Sequence, residues 1–368
     1  MLTTILMCQQ GTLFSCSPAR TQMVEELMRR GSKVVIFYPG NVDDEKLESK
    51  CEKIVNTKNM KISSIRNKIR EINPNILVCS TIEDTDICYL LPYRMKNTDF
   101  YYYNLEIYVC SNRITINNGY NWINKIDYLQ SKIKEILYVK RCSALVIQDK
   151  LRKKVSKKYW ISHSNTWLIP NSYYSNFQKY NVPYKGGIIY SGSFLESMVG
   201  SLIGDINSFD NIEITLSGWG IAKGRLKRNP HVKVITQKLS QEDYAKFISA
   251  YDIALIWYSN QQDDNVYNIG LSSGKFFKHL SIGQPVIVND VPGLADEVRK
   301  YELGVVIKDL SELSMAVQTI NSNYEFFVQN IKRVYDKKYD YKKVSKRFFD
   351  TIIDKAQVAV SGRKNGRF

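Results

Sequence analysis

The feature that most narrows the fold is a rhythm of short apolar runs, each ending in a loop rich in glycine or serine and followed by a helix-like segment. Thr3 to Cys8 reads as a buried strand, and a loop with Gly11, Ser15, Ser17 and Pro18 follows. Residues 18–30 then carry Met23, Leu27 and Met28 at helical spacing, with Pro18 suited to a first turn and Gly31 as a stop. Lys33 to Tyr38 is the next strand. Apolar strands that alternate with helices specify parallel sheets covered on both faces. The rhythm continues with helix-like 60–72, strand Asn75–Cys79, helix-like 83–94, strand Phe100–Tyr103, helix-like Asn121–Tyr138 and strand Ala144–Ile147. Residues 173–187 interrupt it: they are polar, tyrosine-rich and contain Pro183, Gly186 and Gly187, so they read as a linker.

The rhythm then restarts. Gly187–Tyr190 is a strand ending in Ser191-Gly192-Ser193, and Ile212–Leu216 is a strand ending in Gly218-Trp219-Gly220. Strands follow at Val232–Ile235, Asp252–Trp257, Pro285–Val288 and Gly304–Ile307. Helices are expected at 241–250 (capped by Ser240 with Asp243), at 273–282, after Pro292-Gly293, at 311–320 and over 324–357. The expected fold is α/β: two Rossmann-like doubly wound domains facing a cleft. The expected division is 1–172, a linker at 173–187, a second domain at 188–340, and a C-terminal helix and tail at 341–368 that packs back on the first domain. A chain of 368 residues suits two domains.

Composition excludes several classes. At 44% hydrophobic and 24% charged residues the chain is not a disordered one. The net charge of +16 favours anionic partners. Seven cysteines, all within the first 142 residues, have irregular spacing and no zinc pattern; they read as free thiols of a reducing compartment. No apolar run approaches a membrane span and no basic leader precedes one, so the expectation is a cytoplasmic protein.

The chemistry concentrates in Asn268 to Val298. Ser272 or Ser273 can cap a helix, Phe276, Phe277 and Leu280 give it an apolar face, and Lys275, Lys278 and His279 share the other. Three basic groups at the positive end of a helix are in conflict with its dipole, and a bound anion resolves that conflict. This stretch resembles the donor-binding region of GT-B glycosyltransferases of the group 1, GT4-like kind. The matching run is Ser273-Gly274-Lys275 through Leu280 to Gly283-Gln284-Pro285-Val286-Ile287. Pro292-Gly293-Leu294-Ala295-Asp296-Glu297 resembles that family's glycine turn and acidic helix start, Tyr190–Ser193 its first glycine loop, Ser217–Gly220 its second, and Trp167–Ser172 the end of its acceptor domain.

The resemblance implies an enzyme that moves a sugar from a nucleoside-diphosphate sugar to a glycan or lipid-linked acceptor in surface polysaccharide or glycoconjugate synthesis. It implies a donor site at Gly192, Ser193, Gly218, Trp219, Ser272, Ser273, Lys275, Lys278, Gly293, Leu294 and Glu297, with Lys275 and backbone N–H groups steadying the leaving diphosphate and no metal required. Where family members carry two glutamates, one of them on the ribose, this chain has Gly270 and Lys278. Glu297 is then the candidate for the ribose. In the first domain, Gly11, Thr12 and Ser15 are acceptor-loop candidates. Glu106, just past the Tyr101–Tyr103 strand, is the candidate catalytic base. The basic runs Lys150–Lys158, Lys223–Arg228 and Lys337–Arg347 read as solvated helix faces or as contacts for anionic lipid on the inner face of a membrane. Nucleic acid is not expected, because no nucleic-acid module is recognisable. The alternative function is a degenerate GT-B subunit that supports an active transferase; an epimerase is a third reading, and an NAD enzyme is disfavoured because no GxGxxG follows the first strand.

Overall fold

Parallel pairing runs through both halves of the chain. The structure is a computed structural model and describes residues 2–9, 18–40, 48–107, 122–177, 187–194, 196–206, 212–219, 229–236, 239, 241–259 and 263–365. The chain divides into two units, one formed by Met1–Pro170 with Val344–Phe368 and the other by Asn171–Lys343.

The first unit holds strands β1 (Leu2–Met7), β2 (Ser32–Tyr38), β3 (Lys53–Asn56), β4 (Ile76–Cys79), β5 (Asp99–Tyr103), β6 (Ala144–Ile147) and β7 (Thr166–Leu168). Their order in the sheet is β3-β2-β1-β4-β5-β6-β7. Its helices are α1 (Pro18–Arg29), α2 (Ile62–Ile72), α3 (Ile82–Cys88), α4 (Leu91–Arg94), α5 (Trp122–Val139) and α6 (Lys150–Lys158). Ile5, Leu6 and Met7 are wholly buried because β1 has a neighbour on each edge and helices over its faces. Cys8 and Cys79 are buried free thiols, as their apolar runs predict, and burial pushes Cys8 up to about 12. Tyr101, Tyr102 and Tyr103 are core residues.

Two strands escape sequence reading. β3 and β7 are the two edge strands of this sheet, with one and none of their residues buried, so neither leaves an apolar run that stands out. The expected helix over 83–94 is two, because the chain breaks between α3 and α4 just before Pro92.

The second unit holds β8 (Ile188–Ser193), α7 (Glu196–Ile206), β9 (Ile214–Trp219), β10 (Val232–Ile235), α8 (Gln241–Ile248), β11 (Ile253–Ile256), α9 (Asp264–Tyr267), α10 (Gly274–Leu280), β12 (Val286–Asn289), α11 (Leu294–Tyr301), β13 (Gly304–Ile307), α12 (Leu313–Ser322) and α13 (Tyr324–Val334). Its sheet order is β10-β9-β8-β11-β12-β13.

The units divide at Pro170/Asn171, ahead of the stretch expected to link them. Residues 173–177 are laced into the second unit. The Tyr335 hydroxyl accepts from the Tyr173 N–H at 3.0 Å and donates to the Tyr173 carbonyl at 2.9 Å, and the Asn176 N–H donates to the Ser281 carbonyl at 2.9 Å. The expected helix over 324–357 is also broken. A π-helical turn at Tyr335–Tyr339 buries both tyrosines, and the Asp340 carboxylate then accepts the Lys343 N–H at the start of α14 (Tyr341–Asn365). From Val344 onward the chain belongs to the first unit. There Phe348 packs edge-on against Tyr101 and Trp167, and Asp350 accepts from Arg30 at 2.8 Å.

A buried ion pair marks the first unit. Lys132 Nζ lies 2.7 Å from a Glu135 carboxylate oxygen, and Tyr102 donates to the same carboxylate at 2.7 Å. Burial pushes the Glu135 carboxyl up, against the ammonium and hydroxyl that favour its charge. Removing one partner of such a pair strands the other in low dielectric. Lys132→Met is expected to lower unfolding stability by roughly 3–5 kcal/mol in urea titration.

Candidate functional site

In an open parallel sheet the ligand crevice lies past the strand C-termini where the strand order reverses. In the second unit that point falls between β8 and β11. Lys275 comes to it from the first turn of α10. Its ammonium donates to the Trp257 carbonyl at 2.8 Å and to the Tyr190 hydroxyl at 3.2 Å. The same nitrogen sits 4.0 Å from the centre of the Tyr258 ring and 4.8 Å from that of Tyr190. Part of the side chain is still reached by solvent, but burial pushes its pKa down to about 7. Ser273 sets the geometry: its hydroxyl accepts the Phe276 N–H at 3.2 Å, capping α10, and pairs with the Tyr258 hydroxyl at 2.6 Å. Asn289 fixes the Tyr258 backbone, accepting its N–H at 3.1 Å and donating to its carbonyl at 2.8 Å.

The floor beside Lys275 is made of glycine. Gly192 and Gly218 are partners across β8 and β9, and Gly192 has φ of +151°. A Cβ on Gly192 would come within 3.6 Å of Lys275 Cδ. A Cβ on Gly218 would fall 1.7 Å from the Gly192 carbonyl oxygen, so only glycine allows the strand ends to approach this closely.

Residues 188–340 match the family described as the glucosyltransferase 3-like C-terminal domain. A sequence search of curated proteins gives no significant match. The fold of the whole chain matches sucrose-phosphate synthase from Thermosynechococcus elongatus, at 14% identity and a TM-score of 0.69 over 96% of this chain and 99% of that one. It matches HepE of Anabaena, solved with UDP and glucose, at 11% identity and 0.70 over 96% and 100%. It matches WaaG, a glycosyltransferase involved in lipopolysaccharide biosynthesis, at 14% identity and 0.66 over 95% and 99%. The chain has the fold of GT-B glycosyltransferases, and its second unit carries a domain like the C-terminal domain of glucosyltransferase 3.

The second unit brings Gly192, Ser193, Gly218, the Trp219 backbone, Ser273 and Lys275 to one end of its sheet. The remaining donor-site expectations stand differently. Ser272 is buried, and its carbonyl accepts from the Asn171 side chain at 3.1 Å. Lys278 lies over the Tyr244 ring at 4.4 Å. The Gly293 N–H is engaged by the Asp296 carboxylate at 3.1 Å, and the Leu294 side chain is wholly buried in the core. The Glu297 carboxylate is bonded to Lys338 and Tyr339, which ties α11 to the π-helical turn. Glu106, half-buried, follows β5 in the first unit. Its loop is braced by Gln148, which donates to the Asn104 carbonyl at 2.7 Å, and by Arg152, which donates to that of Leu105 at 3.3 Å. Gly11, Thr12, Ser15, Gly220, Ser240, the Trp219 side chain and the run Lys223–Arg228 lie outside the described residues.

The expectation of three basic groups crowded at the positive end of α10 is corrected at His279. His279 is wholly buried, and burial pushes its pKa down to about 4, so it is neutral near pH 7. Its Nδ1–H donates to Gln284 Oε1, since Gln284 Nε2 donates to the Tyr251 carbonyl at 2.7 Å and thereby fixes the amide orientation. His279 Nε2 is then the acceptor for the Ser191 hydroxyl at 2.6 Å. The relay anchors the residue just before Gly192. α10 also has only seven residues, so its dipole contributes little and the positive charge of the site rests on Lys275. Sequence reading missed Tyr190 and Tyr258 because each adjoins or lies within an apolar strand run. Asn289 carried a usable signal, a polar residue closing the apolar strand Val286–Asn289.

Two outcomes follow from these contacts. Gly218→Ala is expected to cost roughly 1–3 kcal/mol of stability in urea titration, because the clash is with backbone. Below its ordinary value of 6.5, His279 takes up a proton in the unfolded chain before it does in the folded one. Stability should therefore fall as pH drops from about 6.5 toward 4, and in thermal melts across this window His279→Leu should flatten that component of the slope.

Proposed function

We propose that the second unit binds the nucleoside diphosphate of a nucleotide sugar at the ends of β8 and β9, with the Lys275 ammonium on the diphosphate. The observation that carries this reading is the enclosure of that ammonium between two tyrosine rings and a carbonyl, beside a glycine floor at the point where the strand order reverses. A lysine desolvated in this way carries its full charge most favourably when an anion arrives. In transfer, an acceptor hydroxyl oxygen bonds to the anomeric carbon as the bond from that carbon to the diphosphate breaks. Negative charge builds on the departing phosphate, where Lys275 meets it. The acceptor hydroxyl gives its proton to a carboxylate base, and Glu106 is the residue proposed for that role. UDP bound in HepE supports a uridine nucleotide as the first to test. The acceptor is a glycan or a lipid-linked glycan, and the proposed location is cytoplasmic, peripheral on a membrane; among the described residues no helix is long and apolar enough to cross one. The reading assigns the neutralising charge to Lys275 rather than to a metal.

The test is a thermal-shift and calorimetry panel of UDP, GDP and dTDP, with and without Mg²⁺, on wild type and Lys275→Ala. One nucleotide is expected to stabilise the wild type without Mg²⁺, and Lys275→Ala should bind it at least tenfold more weakly with its melting temperature in buffer retained. Full affinity in that variant would overturn the site. Absence of any shift in the wild type would favour the degenerate-subunit reading. The pH dependence has a definite sign. With the free-state pKa at about 7, Lys275 loses its proton as pH rises above that value, so affinity should fall toward tenfold per unit in wild type and stay flat in Lys275→Ala.

A further inference from the structure

The turn that ends α6 is one its sequence does not favour. The Trp160 N–H donates to the Lys157 carbonyl at 3.1 Å and the Ile161 N–H to that of Ser156 at 3.0 Å, the two bonds of a Schellman closure. The residue at its centre adopts the left-handed region, where glycine is usual. Here it is Trp160, with φ of +60° and 73% of its surface exposed. A bulky side chain is thus held in water by a backbone conformation it disfavours. The left-handed backbone closes the helix, but the exposed indole belongs to none of the described core clusters of the first unit.

Its surroundings share a character. On α6, Arg152, Val155 and Ser156 face inward, while Lys150, Lys153, Lys154, Lys157 and Lys158 are exposed, with no carboxylate among residues 150–158. On α5, Ile126, Leu129 and Ile133 are exposed at 54%, 57% and 49%, and their spacing of three and four sets them in one stripe. Tyr128, Ser131, Lys132 and Glu135 take the inward side of that helix. The two helices meet where Lys132 Nζ lies 5.9 Å from the ring centre of Tyr159, the residue before Trp160.

We propose that the α5 stripe, Trp160 and the α6 lysines together dock the first unit on an anionic lipid surface. An apolar stripe flanked by lysines gains by entering the boundary between headgroups and acyl chains, and tryptophan favours that depth. Each lysine near an anionic surface strengthens binding about fivefold, the equivalent of roughly 1 kcal/mol. A nucleic acid or other anionic polymer would satisfy the lysines and leave the stripe and Trp160 in water, so the combination selects lipid. The proposal extends the lipid-linked acceptor reading but is tested without turnover, and nucleotide binding in the same preparations separates failure of one from failure of the other.

The experiment is co-sedimentation of the full chain with phosphatidylcholine vesicles, with and without phosphatidylglycerol, alongside tryptophan emission. Binding is expected to the anionic vesicles only, to weaken with salt, and to shift emission to the blue in a component that Trp160→Phe removes. Ile126→Ser/Leu129→Ser/Ile133→Ser and Lys153→Glu/Lys154→Glu/Lys157→Glu are each expected to lower partitioning at least tenfold while keeping the wild-type melting temperature and nucleotide shift. Trp160→Gly is the sharpest arm: it should hold or raise the melting temperature, because the strain is relieved, and still lower partitioning. A purely structural Trp160 would give the reverse. No binding to anionic vesicles at low salt, or binding that the serine and glycine variants leave unchanged, would overturn the proposal.

Discussion

An ammonium group drawn out of water organises the second unit. Lys275 sits where two strands diverge, and the groups around it are those that tolerate an intermittently charged neighbour: two ring faces, one carbonyl and a glycine with no side chain to intrude. Each of these is in turn held by something behind it. Asn289 clamps the Tyr258 backbone, Ser273 takes the Tyr258 hydroxyl, and the Ser191–His279–Gln284 relay ties down the strand that carries Tyr190 and Gly192. The outer layer is neutral, so it fixes geometry without competing for the charge.

The sequence carried the architecture because parallel strands buried on both faces leave unbroken apolar runs, and β1, β4, β8 and β11 could be read directly. The short edge strands β3 and β7 were hidden for the opposite reason: an edge strand has less to bury. Lys275 and the glycine pair were singled out by resemblance to donor-site motifs, and the structure brings them to one end of the second sheet. His279 was misread. A helical wheel places it near two lysines, but the wheel does not record that Ser191 and Gln284, 88 residues away on one side and five on the other, close around its ring. The partners of Glu297, Lys338 and Tyr339, were not legible either, since they come from a π-helical turn that no local pattern announces.

The two units handle buried charge differently. In the first, Lys132 and Glu135 neutralise one another and are further satisfied by Tyr102, an arrangement that stays the same whatever binds nearby. In the second, Lys275 has no carboxylate among its described contacts, only dipoles and rings. A closed pair is suited to a scaffold, and an open one to a ligand that brings its own negative charge.

The return of residues Val344–Phe368 to the first unit has a consequence for the order of assembly. On the ribosome, the second unit has its whole sequence available before the first does. Until Phe348 arrives, Tyr101 and Trp167 lack the ring that covers them, and Arg30 lacks Asp350. The first unit, begun before the second, is therefore sealed after it, with apolar surface waiting on the emergence of a single late helix.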